Sequence, residues 1–167
     1  MRVQALSFGK SKVLAALPIL GTTLGNETLP TITILLGSRD PMRTTIDVRF
    51  HEVDSQGHAN HTAIVAWVAH CRIKLLDEYV TQAACEDMDY VLVGLSMNFR
   101  KEVFYPDRVE VEGKVTKVGT SSVETAFYVH RGDDEIANAV CTNVFFDTAS
   151  QASVEIPSDL KKLLTSD

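Results

Sequence analysis

Between residues 50 and 61 the chain reads FHEVDSQGHANH. A carboxylate, Asp54, sits in this polar loop with Gly57 and with His51, His58 and His61, and an almost wholly apolar run, TAIVAWVAHCRIKLL, follows at once. A carboxylate near neutral pH serves as a general base on water or as a nucleophile on an electrophilic carbonyl. Either role needs a partly desolvated position beside donors that take up the charge developing on the carbonyl oxygen. A helix N-terminus supplies free backbone N–H groups and the positive end of the helix dipole. A loop running into such a terminus brings base and electrophilic donor together, and Gly57 lets a substrate approach the backbone closely. His61 opens the apolar run and is suited to orient a substrate, a water or the carboxylate. Asp54 equally suits an Asx-turn that merely organises the loop, and His61 a satisfied polar residue at a helix start. Residue types alone leave both pairs of readings open.

Other chemistries fare worse. His58 and His61 spell H-x-x-H beside Asp54 and His51, but the usual helical metal spacings, H-x-x-x-H and H-E-x-x-H, are missing, so no metal is expected. GLSMN at 94–98 lacks the last glycine of G-x-S-x-G and falls within a strand pattern. FGKS at 8–11 lacks the first glycine of a phosphate-binding loop, and no G-x-G-x-x-G occurs. Trp67 and Met97 read as core.

The elements that must position this loop are legible around it. RTTIDVRF alternates and is β-branched, so a strand precedes the loop. Asn60 or Thr62 is placed to cap a helix. Ile64, Trp67, Val68, Cys71 and Leu75 then form one helical stripe, while Val65, Ala66, Ala69, Ile73 and Leu76 make the other faces apolar too. A helix apolar nearly all round is expected to be enclosed. Four strands follow. Val91, Val93, Leu95, Met97 and Phe99 alternate, as do Val109, Val111, Gly113 and Val115, then Val123, Thr125, Phe127 and Val129, and IANAVCTNVFFD makes the last. SDLKKLL after Pro157 predicts a short closing helix. Adjacent strands joined by tight turns imply an antiparallel sheet, hence an α+β fold. One helix on one sheet leaves spare apolar surface, which suggests a dimer.

The 167 residues suffice for one domain with a sizeable core, and a formal net charge of −6 argues against nucleic-acid binding. The three cysteines, Cys71, Cys85 and Cys141, form no C-x-x-C pair, so a reducing compartment and a cytoplasmic location are expected. No apolar run approaches the roughly 18 residues of a membrane span. Residues 1–41 read as an N-terminal extension, or as the product of an upstream start codon, ahead of a domain over residues 42–167. Arg2, Lys10, Lys12 and the apolar VLAALPIL resemble a targeting peptide weakly, but Pro18 interrupts the run and no A-x-A cleavage site follows.

VRFHEVDSQGHANHTAIVAWVAHCRIKLL resembles the signature of hotdog-fold acyl-CoA thioesterases of the 4-hydroxybenzoyl-CoA type: an aromatic residue, then x-D-x-x-G-h-v-N-[NH], an apolar helix, and an arginine about a dozen residues on. Asp54, Gly57, His58, Asn60, His61 and Arg72 occupy those places, and LSMNFRKEVFYPDRVEVEGKV resembles the strand, turn and strand that follow. The resemblance covers about residues 42–165. It implies a long central helix wrapped by a curved antiparallel sheet, protomers paired as homodimers or homotetramers, and active sites at the protomer boundary. It implies Asp54 as the catalytic carboxylate, assisted by His61, with Asn60 holding the loop and helix start. Two places depart from the pattern: Ala69 and His70 stand where many members have acids, and Phe50 where some have tyrosine. Arg72 is expected to be structural, paired with a loop carboxylate or a backbone carbonyl.

The implied reaction is hydrolysis of an acyl thioester of coenzyme A or acyl carrier protein, with Asp54 as general base or nucleophile, and without metal or organic cofactor. Gly57, His58 and Asn60 would contact substrate, and Arg100, Lys101 and Arg131 are candidates for the coenzyme A phosphates. Hotdog domains that hydrate or dehydrate acyl thioesters, and ones that bind without catalysis, are the alternatives. Acyl chain length and carrier are not encoded legibly.

Overall fold

The computed structural model describes residues 40–85, 88–147 and 149–166. The expected extension over residues 1–41 lies, except for Asp40 and Pro41, outside the described residues. Strand β1 (Met42–Asp47) leads through a single 3-10 turn (Phe50–Glu52) and the polar loop into α1 (His61–Gln82). Then come β2 (Asp89–Phe99), β3 (Arg108–Val118), β4 (Ser122–Arg131), β5 (Asp134–Asp147), the two-residue β6 (Ala152–Ser153) and α2 (Ser158–Thr165). The sheet runs β1-β3-β4-β5-β2 with every neighbouring pair antiparallel, and β6 pairs β5. This is the α+β hotdog arrangement expected from the sequence.

Strands β1 and β2 are consecutive in the chain but lie at opposite edges of the sheet. The connection between them must therefore cross the sheet, and α1 is that crossing. Its 22 residues make a rod of about 33 Å. Asn60 caps its start, and Ala84, at a positive φ of 52°, turns the chain out of its end.

The register explains which side chains meet α1. Pairs opposite one another in an antiparallel ladder share a face. Val111, Val129 and Ala137 line up across β3, β4 and β5, as do Gly113, Phe127 and Ala139, and Val115, Thr125 and Cys141. All nine are buried and face Trp67, Val68, Cys71 and Leu75 of the helix. The alternation read from the sequence for β3 and β4 holds.

Two expectations need correction. The sheet of one chain does not enclose α1 on every side: Ile73 remains 44% exposed, and Leu92, Leu95 and Phe99 on β2 are 42, 43 and 49% exposed. The second concerns β2. Its pairing with β5 shifts between Leu92 and Gly94, so Val93 is an extra, bulged residue. Val91 and Leu95 therefore lie on opposite faces, and the inner face of β2 carries Tyr90, Leu92, Leu95, Met97 and Phe99. Simple alternation from Val91 cannot reveal this, because a bulge resets the period.

Gly113 lets the sheet approach its own core closely. A Cβ there would stand 2.6 Å from Phe127 Cδ1 and 3.4 Å from Cys71 Sγ. Phe127 is fully buried and has no room to retreat. Gly113→Ala is expected to destabilise the fold by about 1–3 kcal/mol, the usual cost of overpacking. Urea unfolding checks this; an unchanged midpoint would mean that Phe127 is free to move.

Candidate active site

The loop expected to carry chemistry is a small hairpin. The Asp54 N–H donates to the His58 carbonyl at 3.0 Å, and the Gly57 N–H donates to the Asp54 carbonyl at 3.1 Å. Gly57 sits at φ 90°, a conformation that strains any residue with a Cβ. Asp54 Oδ1 accepts the Gln56 N–H at 2.8 Å. This is the Asx-turn weighed above as the organising role of Asp54, and it is formed. It uses one carboxylate oxygen. The other, Oδ2, lies 3.7 Å from His58 Nδ1. The Asp54 side chain is 25% exposed, which is partly desolvated and still accessible.

Neighbouring segments lock the hairpin at both ends. Val53 pairs with Ala59, and His58 with Phe104. The Ala59 N–H donates to the Val103 carbonyl at 2.6 Å. Glu52 ties the loop to the helix: Trp67 Nε1 donates to its Oε1 at 2.9 Å, the Arg49 N–H to its Oε2 at 2.7 Å, and the Asn60 N–H to its carbonyl at 2.8 Å. Trp67 is thus a core residue whose one polar atom anchors the loop. Glu52 was not among the expected site residues; an acid two residues before Asp54, with a tryptophan as the second residue of the apolar stripe, was the available signal.

The start of α1 is nearly saturated. Asn60 Oδ1 accepts the Thr62 N–H at 2.9 Å and the Thr62 hydroxyl at 2.7 Å. The Asn60 carbonyl accepts the N–H groups of Ala63 at 2.9 Å and Ile64 at 3.3 Å. Among the described residues this leaves the His61 N–H as the first-turn donor without an acceptor. The His61 ring is exposed and meets Phe99 edge-on, with centroids 6.3 Å apart.

A cavity of about 390 Å³ opens here, within the range of small-molecule sites. Asp54, His58, His61, Arg100 and Lys101 line it, together with Gln56, Phe99 and the backbone-pairing segment Glu102–Val103. The fold therefore gathers five of the seven expected site residues. Gly57 and Asn60 are not in the lining; they shape the turn and the cap. Arg100 Nε donates to Glu135 at 2.6 Å, and Lys101 pairs with Asp134. Arg131 donates to Asp107 Oδ2 at 2.6 Å and does not reach this lining. Among the described residues no group of three or more histidines, cysteines or acids is placed to hold a metal, and no helix is long and apolar enough to cross a membrane.

Arg72 departs from expectation. Its Nη1 donates to the side-chain oxygen of Asn143 at 2.6 Å, rather than to a loop carboxylate or backbone carbonyl. Its Nε is buried without an acceptor, as is Nδ2 of the fully buried Asn143.

The segment that backs the hairpin turns at Asp107. Its Oδ2 accepts the Phe104 N–H at 3.0 Å as well as Arg131, and its own N–H donates to the Phe104 carbonyl at 2.7 Å. The backbone N–H, then Arg131, hold this carboxyl below the usual carboxylate range. A depressed folded-state pKa contributes stability that is complete above the ordinary carboxylate range and is lost as pH falls through the depressed value. Asp107→Asn is therefore expected to lower stability at neutral pH and to flatten the acid limb of stability against pH. Urea titrations from pH 7 to pH 3 check both, and parallel acid limbs in the two proteins would contradict the assignment.

The profile of the thioesterase-like superfamily matches residues 48–164. A thioesterase from Thermus thermophilus, solved with coenzyme A and zinc, is 19% identical with a TM-score of 0.67, over 76% of this chain and 99% of that one. A 1,4-dihydroxy-2-naphthoyl-CoA thioesterase from Synechocystis is 12% identical with a TM-score of 0.62, over 74% of this chain and 95% of that one. At these identities the likeness is one of fold. A comparison with curated proteins finds no match.

Proposed function

Because the chain belongs to the thioesterase-like superfamily, we propose that it hydrolyses acyl thioesters in the cavity between the Asp54 hairpin and the start of α1. The observation that carries this reading is the pairing of a half-engaged carboxylate with an open helix-start amide on one cavity. Asp54 Oδ1 holds the turn, so its position is fixed; Oδ2 is left for chemistry. The His61 N–H is the donor for the thioester carbonyl oxygen.

In the general-base route, Oδ2 takes a proton from water as the water oxygen bonds to the carbonyl carbon. The oxyanion that forms is held by the His61 amide. Its collapse breaks the C–S bond, and the departing thiolate takes the proton back from Asp54. In the nucleophilic route, Oδ2 itself attacks, thiolate leaves, and water hydrolyses the resulting anhydride. The His61 ring would position the water or thioester in both. Neither route requires a metal or organic cofactor. A coenzyme A thioester is the substrate that the coenzyme A-bound relative favours. Arg100 and Lys101 would meet its phosphates by leaving or sharing Glu135 and Asp134. The exposed apolar inner face of β2, at the open edge of the sheet, supports pairing of two protomers along that strand.

Asp54 has two jobs, and two variants separate them. Asn keeps an oxygen for the Gln56 turn but supplies no base; Ala removes both. Asp54→Asn is expected to lower kcat for acyl-CoA hydrolysis about a hundredfold or more at nearly wild-type stability, while Asp54→Ala loses stability as well. Thiol release from short, long and aromatic acyl-CoAs, beside thermal melts, tests this. Wild-type turnover by Asp54→Asn would reduce Asp54 to its structural role. Enoyl hydration, or saturable binding without turnover in the wild type, would favour a hydratase or an acyl-binding domain.

A further inference from the structure

Gln56 holds two groups of the cavity so that they face each other as acceptors. Its backbone N–H donates to Asp54 Oδ1 at 2.8 Å, and its side-chain Oε1 lies 3.1 Å from His58 Nε2. An amide oxygen only accepts, so this contact places the ring hydrogen on Nε2 and leaves Nδ1 with a bare lone pair. Nδ1 lies 3.7 Å from Asp54 Oδ2. A protonated Nδ1 would close on the carboxylate to about 2.7–2.9 Å; the wider gap is that of two acceptors. Both side chains line the cavity, and they are 24 and 25% exposed. The backbone fixes their spacing. The Asp54 N–H donates to the His58 carbonyl at 3.0 Å, and His58 pairs with Phe104.

Two acceptors at this spacing suit one donor that carries two hydrogens. A water about 2.8 Å from each spans the 3.7 Å gap, with one hydrogen on Oδ2 and one on Nδ1. Its lone pairs are then turned away from both acceptors. Direct contact between Oδ2 and a carbonyl carbon offers Nδ1 no hydrogen, and an acceptor taken from water without a donor is costly.

We propose that Asp54 Oδ2 and His58 Nδ1 together seat the attacking water, which makes Asp54 the general base and His58 its positioning residue. This rests on the thioesterase reading and selects between its two routes. One water hydrogen passes to Oδ2 as the water oxygen bonds to the carbonyl carbon. The other stays on that oxygen, directed at Nδ1, and ends on the product acid. The C–S bond breaks, and the departing thiolate takes its proton from Asp54. His58 neither gains nor loses a proton over the cycle. Gln56 orients both acceptors, and the His61 ring is left for the thioester.

A single turnover in heavy-oxygen water, followed by mass spectrometry of the acid and of the peptide carrying Asp54, decides the route in the wild type. The label is expected in the acid, with neither label nor acyl adduct on the peptide. Label or adduct on Asp54 overturns the inference, and that result needs no variant to fold. His58→Phe is expected to lower kcat about tenfold to a hundredfold with KM little changed. His58→Asn, whose side-chain oxygen reaches the place of Nδ1, should recover part of the loss. Wild-type kcat in His58→Phe overturns the inference, as does an equal loss in both variants with a lowered melting temperature, which makes His58 structural. If the wild type releases no thiol from any acyl-CoA, the thioesterase reading fails, and a high-resolution crystal structure of the free protein decides the water site. A water bonded to both Oδ2 and Nδ1 supports it; direct contact of the two atoms, or no shared water, overturns it.

Discussion

The joint at Asn60 fixes the geometry on which the rest of the site depends. Its side chain caps α1 through Thr62, its carbonyl takes the amides of Ala63 and Ile64, and its own N–H is held by Glu52. Three of the first-turn donors are thereby consumed inside the protein. A cap of this kind is commonly worth about 1 kcal/mol, but its larger consequence is selectivity: it leaves His61 as the open donor at the cavity. Glu52 extends the same joint into the core through Trp67, so the loop before the helix is tied to the helix itself.

The sheet order explains why that joint lies where it does. Placing β1 and β2 at opposite edges forces the helix to cross the sheet, and the helix start must lie near the end of β1. The hairpin that carries Asp54 fills the short span between them and is steadied from the other side by the segment ending at Asp107. Asp54 then offers one carboxylate oxygen to the turn and, in the proposed reaction, the other to the substrate. Engagement of Oδ1 orients Oδ2, much as a second group orients a catalytic base elsewhere. The structural and chemical roles weighed for this residue are thus not exclusive.

Much of this was legible in the sequence, for identifiable reasons. Period-two alternation located β3 and β4 and their inner faces, because Val, Thr and Phe at every second place face one core. The cap at Asn60 and the stripe on α1 were legible because both are local. The extent to which α1 is enclosed was not, since local periodicity reports an apolar surface but not whether one chain or two will cover it. The bulge at Val93 was hidden in the apolar run Val91-Leu92-Val93, which fits either phase. The partner of Arg72 was missed because Asn143 is 71 residues away and looks, in sequence, like any polar residue in a strand. Arg100 and Lys101 were found, but their engagement with Glu135 and Asp134 depends on the pairing of β2 with β5.

A structure of the Asp54→Asn protein with an acyl-CoA analogue, in which a methylene replaces the thioester sulfur, tests the central claim most directly. The ketone oxygen is expected about 2.7–3.1 Å from the His61 amide nitrogen, with the side chain at position 54 facing the carbonyl carbon or a water beside it. A carbonyl held by other donors, or an analogue bound outside the cavity, would contradict the account.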